Sequence, residues 1–260
     1  MQYLKNYLTS FKLKSMFIYT LTVDALTWLT IGGLFYLLSV QLKNRLNVLT
    51  GGMSPEAFKQ HILSLSPEQA QLFAMQLKVI VVQLAVFIIV LPIVALLLYS
   101  LSRAILWNML LDKKFVFRHH WKWNLLNIVM LFIAVGLFLL FLVVTMIIGL
   151  VISSQAVNSV LAFLLVVCFF VLLFLICRNF TNTPRVFESV GAGFKALKQK
   201  EFYVAWLFGA ATLFILRFVL YPFREQLFIY QDAALVAGAV IVLLWLSWFR
   251  MYVVSALREI

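Results

Sequence analysis

NLLNIVMLFIAVGLFLLFLVVTMIIGLVI, the sequence of residues 124–152, contains no charged residue and only a few polar ones. About 20 consecutive apolar residues are enough to cross the roughly 30 Å hydrocarbon layer of a membrane as a helix. Five further, mainly apolar runs lie on both sides of this one, at 16–40, 79–100, 160–177, 202–221 and 233–254. The sequence therefore predicts an all-α, polytopic membrane protein with six transmembrane helices.

The composition excludes a soluble globular protein. The chain has 260 residues, of which 65% are hydrophobic and 12% charged, and its mean hydropathy is +1.05. Soluble domains carry about 25% charged residues. The first run, 16–40, is much longer than the roughly 7–15 apolar residues of a secretory signal core, so we expect it to be retained. With no linker in the sequence, we predict a single membrane domain over residues 1–260.

Basic residues are distributed unequally between the two sides of the predicted membrane. Of the 21 Lys and Arg residues, the side without the termini holds only six: Lys43, Arg45, Lys59, Lys78, Arg217 and Arg224. The positive-inside rule places the richer side in the cytoplasm. We therefore expect a cell-membrane protein with cytoplasmic N and C termini.

The net charge of +12 favours anionic lipid headgroups as partners of the cytoplasmic face, and nucleic acid is not expected. The residues predicted to contact headgroups are Lys12, Lys14, Lys113, Lys114, Arg118, His119, His120, Lys195 and Lys198. The third and fourth spans would expose apolar faces. Other membrane proteins, or further copies of this chain, are therefore also possible partners.

Three basic, aromatic-rich segments each run into a long apolar stretch: Tyr3–Tyr19, Leu101–Trp123 and Pro184–Trp206. Their recurrence favours a threefold repeat of a helical hairpin. The first and third segments have apolar residues at helical spacing, which predicts short amphipathic helices in the cytoplasmic interface.

In the third segment, Thr183 would cap a helix that begins at Pro184. Ser189 would lie on its polar face. Its apolar stripe would consist of Val186, Phe187, Val190, Phe194 and Leu197.

The one long connection predicted outside the membrane is the outer loop, 41–77. It contains Ser54-Pro55-Glu56 and Ser66-Pro67-Glu68, in which Ser can cap a helix, Pro fits the first turn and Glu complements the helix dipole. Short helices should therefore begin at Pro55 and Pro67. The second would continue to Asp112, with a kink at Pro92, which cannot donate a hydrogen bond.

Asp24 is the most informative candidate site residue, because an acid in mid-membrane costs about 2.5–3.5 kcal/mol on insertion scales. Thr20 and Thr27 share its helix face, and Arg250 with Ser247 lies at a comparable depth in the last span. We predict that Asp24 and Arg250 approach each other. The cluster would be either a polar clamp between helices or a proton or substrate coupling site.

A second polar group is predicted near the outer leaflet, where Arg217 would form an ion pair with Asp232 or Glu225. Small residues that would allow close helix approach occur at Gly32-Gly33, Ala205-xxx-Gly209 and Ala234-xxx-Gly238.

The motifs of soluble and intramembrane enzymes are missing: the sequence has no G-x-S-x-G, H-E-x-x-H or phosphate-loop pattern. Cys168 and Cys177 are expected to be inert thiols on an apolar background. We therefore expect no enzymatic activity, no cofactor and no metal. The function predicted is that of a scaffold, assembly or accessory component of the membrane, with a small-solute or lipid transporter or channel around Asp24 and Arg250 as the alternative.

The segment Thr183–Phe208, with Phe187-Glu188-Ser189, Phe194-Lys195-Ala196-Leu197 and an aromatic entry into a span, resembles membrane domains of the glycerophosphoryl diester phosphodiesterase membrane-domain type and related six-span families of unknown function. The resemblance covers about a tenth of the chain. It implies an architecture of short cytoplasmic helices before membrane hairpins. It implies no catalytic residue, because the phosphodiesterase activity of such proteins belongs to a separate soluble domain.

Overall fold

The computed structural model of the protein describes residues 15–151, 155–220 and 231–256, which contain helices and no strand. The helices are α1 (Ser15–Thr50), α2 (Pro55–Leu63), α3 (Pro67–Ala85), α4 (Leu91–Leu110), α5 (His120–Val151), α6 (Gln155–Asn182), α7 (Val186–Ala196), α8 (Lys200–Leu220) and α9 (Gln231–Ala256). The prediction of an all-α protein is confirmed.

Among the described residues, five helical stretches are long and apolar enough to cross a membrane: Ser15–Thr50, Pro67–Leu110, Phe117–Ile148, Asn158–Asn182 and Leu235–Ser255. They contain the predicted runs 16–40, 79–100 and 160–177 in full and most of 124–152 and 233–254. Residues 202–220 of the remaining run lie in α8, which is not one of the five. These helices are thus compatible with the multi-pass membrane protein that the composition predicts.

The chain divides into two compact units, one of residues up to Ala25 and from Ser100 onward, the other of Leu26–Tyr99. The larger unit contains an aromatic core built around α9. Trp245 and Tyr252 both stack with the Phe249 ring, at centroid distances of 4.9 and 6.4 Å. Phe174 of α6 contacts the same ring at 5.8 Å. Burial of several large rings dominates the energetics of such a core.

Two glycines allow neighbouring helices of the larger unit to approach closely. A Cβ atom on Gly209 of α8 would lie 2.5 Å from Cζ of Phe249, and one on Gly193 of α7 would lie 2.3 Å from Cγ1 of Ile176 in α6. The predicted notch Ala205-xxx-Gly209 is therefore occupied by a neighbouring helix. No heavy atom lies within 4 Å of a Cβ built on Gly32, Gly33 or Gly238, so these glycines are not close contacts among the described residues.

The face of α7 that packs inward differs from the predicted stripe. Its buried residues are Val186, Ser189, Gly193 and Ala196, whereas Phe187 is 73% exposed. Ser189 therefore lies on the buried face, not the polar one, and donates a hydrogen bond to the Arg185 carbonyl at 2.7 Å. Close helix packing favours small residues over large apolar ones, which explains the difference. The helix also begins at Val186, after Arg185, and not at Pro184.

The unit Leu26–Tyr99 contains the region predicted as an outer loop, 41–77, and most of that region is helical. α1 continues to Thr50 and ends before Gly51 and Gly52, whose φ values of +58° and +70° favour glycine. The predicted starts of α2 and α3 are confirmed. The Ser66 hydroxyl accepts a hydrogen bond from Gln69 N, and the Gln69 side chain accepts one from Ser66 N, which completes a capping box.

The helix predicted from Pro67 continues to Leu110, two residues short of Asp112. It contains a π-helical turn at Val86–Val90, after which Leu91 N–H donates a hydrogen bond to the Val86 carbonyl, five residues earlier. Because Pro92 has no N–H to donate, the regular ladder is interrupted next to it, and the π-turn absorbs that interruption. The irregularity therefore lies one turn before the proline.

Candidate functional site

Asp24 lies in the larger unit with only 2% of its surface exposed, and its carboxylate is bound by two arginines and a serine. Its Oδ1 atom accepts a hydrogen bond from Nη2 of Arg103. Its Oδ2 atom accepts one from Nη1 of Arg250 at 3.0 Å and one from Oγ of Ser247 at 3.3 Å. We call these four residues the Arg–Asp–Arg cluster.

The cluster joins three helices that are distant in sequence. α1 supplies Asp24, α4 supplies Arg103, and α9 supplies both Ser247 and Arg250. Ser247 and Arg250 are three residues apart and therefore lie on one face of α9. A single carboxylate thus holds α1, α4 and α9 together within the larger unit.

The cluster carries one negative and two positive formal charges, all of them buried: Arg103 is 6% exposed and Arg250 is 2% exposed. Removing an ion from water costs several kcal/mol even after relaxation. The attraction between Asp24 and the two guanidinium groups offsets that cost, and Cζ of Arg250 also lies 5.4 Å from the centroid of the Phe174 ring, a favourable cation–π distance.

More buried polar side chains come from α4 and α5 of the same unit. Nδ2 of Asn127 donates a hydrogen bond to Oγ of Ser100 at 2.8 Å. Asn124 is also buried, and its Nδ2 atom lies 3.5 Å from Nε2 of His120. Within the described parts of the chain, Oδ1 of Asn124 has no hydrogen-bond partner. The buried polar region therefore includes more residues than the cluster around Asp24 that the sequence predicts.

The predicted approach of Asp24 to Arg250 and Ser247 is present in the structure, whereas Thr20 has another partner. Thr20 is fully buried, and its hydroxyl donates to the Phe17 carbonyl at 2.9 Å. Thr27 is half-buried and belongs to the unit Leu26–Tyr99. The Thr20 hydroxyl therefore binds the backbone of its own helix.

Sequence reasoning missed Arg103, which it counts among the basic residues of the cytoplasmic side. A signal was available, because Ser100, Arg103 and Trp107 recur at i, i+3 and i+7 and so form one stripe on a helix. All three are buried. A basic residue on a buried stripe needs an acid partner, and Asp24 is the only acid predicted within a span.

Two of the basic side chains donate hydrogen bonds to backbone carbonyl groups near the C-terminal end of α6. Nζ of Lys113 donates to the Thr181 carbonyl at 3.1 Å, and Nζ of Lys122 donates to the Pro184 carbonyl at 3.2 Å. These lysines satisfy carbonyls at and just beyond the C-terminal end of α6, where a positive charge also complements the helix dipole. The headgroup contact predicted for Lys113 therefore has a competing intramolecular partner.

The other predicted headgroup residues divide into two groups. Lys114, Arg118, Lys195 and Lys198 are exposed, and His119 and His120 are half-buried. The ring of His120 stacks on Phe117 at a centroid distance of 5.8 Å. Lys12, Lys14 and Glu225, and the side chains of Arg217 and Asp232, lie outside the described residues, and so does the predicted outer-leaflet ion pair.

No protein-family model, no curated protein and no solved structure matches the chain. The resemblance to six-span membrane-domain families therefore depends on the sequence pattern alone and stays a prediction. In the part of the chain that the structure describes, no group of three or more His, Cys, Asp and Glu residues could hold a metal ion.

Proposed function

We propose that the protein is a non-enzymatic, multi-pass component of the cytoplasmic membrane that acts as a scaffold, assembly or accessory protein. The observation that supports this proposal is the state of Asp24. Both of its carboxylate oxygens are bound by side chains of the same protein, and the residue is 2% exposed. A carboxylate that carries a proton or a substrate needs access to its cargo, whereas a closed cluster of this kind clamps helices.

The proposal includes six spans, with α8 as the sixth, and cytoplasmic termini. α8 is 21 residues long, Lys200–Leu220, which meets the length of about 20 residues needed to cross the hydrocarbon layer. The excess of Lys and Arg on the side of the termini supports the orientation. The threefold hairpin repeat stays a prediction. The middle segment forms the end of α4 and the start of α5, without a separate amphipathic helix like α7.

The orientation is testable by cysteine labelling. Lys59 in α2 and Lys198 after α7 are both exposed and would lie on opposite sides of the membrane. We expect Lys59→Cys to react with a membrane-impermeant maleimide on intact cells, and Lys198→Cys to react only after the cells are opened. Native Cys168 and Cys177 lie in α6, a candidate span, so the unsubstituted chain is the background control. The reverse labelling pattern would overturn the orientation.

The scaffold role is testable by isolation. None of the residues in the most apolar part of α5 is buried inside the protein. This part of the helix is therefore available to lipids or to another protein. We expect a fixed ratio of one partner protein, or of a second copy, to co-purify in mild detergent and to be cross-linked in membranes. A monomer without a partner, in membranes and in detergent, would contradict a scaffold role.

A transporter or channel is the second candidate, and the buried polar groups beyond the cluster favour it. Ser100, Asn124 and Asn127 extend the polar region from α4 to α5. A transport pathway requires polar groups of this kind deep in the membrane. If this function is correct, Asp24→Asn abolishes uptake in a protein that still folds and inserts. If the scaffold role is correct, the same change affects stability alone.

A further inference from the structure

The larger unit contains an apolar cavity of about 360 Å³ between α5, α6 and α8. Its wall consists of Leu137, Leu140, Phe141, Val144, Leu161, Leu164, Leu165, Cys168, Phe202, Tyr203 and Trp206. At about 30 Å³ for a group the size of a water molecule, the cavity has room for roughly twelve such groups. That is a large part of one fatty-acyl chain.

The wall offers water almost nothing to bind. The indole N–H of Trp206 is already used, because it donates to the Leu164 carbonyl at 3.1 Å. The Tyr203 hydroxyl is the remaining conventional hydrogen-bonding side-chain group of the lining. A cavity holds water only where several polar partners converge, so the ligand that this cavity suits is apolar.

The position of the wall residues identifies the source of such a ligand. Leu137 to Val144 lie in the candidate span Phe117–Ile148, and Leu161 to Cys168 lie in the candidate span Asn158–Asn182. The apolar window of the first of these spans buries none of its residues inside the protein. If these helices cross the membrane, as proposed above, hydrocarbon chains of the bilayer surround the cavity.

Basic residues next to the α8 part of the lining favour an anionic lipid. Lys200 begins α8 and lies three residues before Tyr203, on the same helix face. Lys198 precedes it, and both lysines are exposed. Glu201 is the one acid between Lys195 and Tyr203, so this segment keeps a positive balance. The N-terminal end of α8 adds a partial positive charge that also favours an anion.

We propose that this cavity binds one acyl chain of an anionic phospholipid from the surrounding membrane, with the lipid phosphate at Lys198 and Lys200. This site rests on the membrane placement proposed above and adds a defined ligand to it. Acyl-chain burial supplies the affinity, and the lysines select the headgroup.

Val144 and Val143 provide a matched pair of test positions. Both side chains are exposed, but Val144 lines the cavity and Val143 does not. The protein would be reconstituted in nanodiscs that contain equal amounts of phosphatidylglycerol and phosphatidylcholine, transferred to mild detergent, and analysed for retained lipid by native mass spectrometry. We expect Val144→Trp to lower retained phosphatidylglycerol by about tenfold or more, the factor expected for losing the burial of two methylene groups. Val143→Trp should retain as much as the unsubstituted protein.

The double variant with Lys198→Gln and Lys200→Gln should lose the preference for phosphatidylglycerol. It should still retain lipid, with phosphatidylglycerol and phosphatidylcholine retained equally. Equal retention by Val144→Trp and Val143→Trp would overturn the cavity as the site. Equal retention of both lipids by the unsubstituted protein would overturn the anionic headgroup. Neither result depends on the labelling or co-purification experiments, so a failure of this site and a failure of the proposed function are distinguishable.

Discussion

Replacing Asp24 with asparagine is expected to lower the free energy of unfolding by about 3–5 kcal/mol. The change removes the negative charge and leaves Arg103 and Arg250, both buried, facing each other across an amide. The repulsion of two like charges then adds to the desolvation cost that each of them already carries. Denaturation of the purified protein in mixed detergent micelles would measure the loss.

The exposed ion pair between Arg185 and Glu188 provides the control. Glu188→Gln is also an acid-to-amide change, and it should alter stability by no more than about 1 kcal/mol, since exposed pairs contribute little. If Asp24→Asn had an effect as small as that of Glu188→Gln, the cluster would not be the clamp that we propose.

The three charges also predict an asymmetry between substitutions. Arg250→Met leaves Asp24 paired with Arg103, a neutral combination, so it should destabilise the protein less than Asp24→Asn does. Replacing all three residues with apolar ones, as in Asp24→Leu with both Arg103→Met and Arg250→Met, should recover much of the loss, because buried ionic groups can be exchanged for well-packed apolar ones. A triple variant less stable than Asp24→Asn would contradict this account.

Gly209→Ala should also destabilise the protein, by about 1–3 kcal/mol. The added methyl group would lie 2.5 Å from Cζ and 2.6 Å from Cε2 of Phe249. That ring cannot move away easily, because Trp245, Trp248 and Tyr252 stack around it. α8 and α9 must therefore separate. The midpoint of denaturation in detergent would report the change.

Gly238→Ala in α9 is the matched control. A Cβ atom built there meets nothing within 4 Å, so the substitution should be neutral or should stabilise the helix by up to about 1 kcal/mol, the difference in helix propensity. Opposite signs for the two glycine substitutions would locate the effect in the contact with Phe249. Equal effects would show that the contact does not limit stability.

The helices could be predicted because they depend on local sequence patterns. The contact between Asp24 and Arg250 could be predicted because burying an unpaired charge is costly. Long apolar runs give membrane helices by length alone, and the two Ser-Pro-Glu sequences give helix starts by their capping chemistry. Asp24 and Arg250 could be paired because a buried charge without a partner is too costly to keep. The cost of a buried charge requires a partner, but it does not determine how many partners surround the charge.

The features that were missed depend on packing between helices. Arg103 is counted as an interfacial cation because it follows the second apolar run, and only the packing of α4 in the larger unit buries it. On α7, the large apolar residues suggest the buried face, whereas the contact with α6 selects Gly193 and Ser189. The distance between two packed helices cannot be read from the sequence. A face of small residues and a face of large apolar residues are therefore both candidates for the buried face.

The spacing of the cluster along the chain has a consequence for biosynthesis. Arg103 follows Asp24 by 79 residues and Arg250 follows it by 226. At a synthesis rate of about 5–20 residues per second, the first arginine emerges roughly 4–16 s after the acid and the second roughly 11–45 s after it. The formal charge of the future buried site therefore passes from negative through neutral to positive in the order in which its residues are synthesised. The clamp is complete only after α9 has been synthesised.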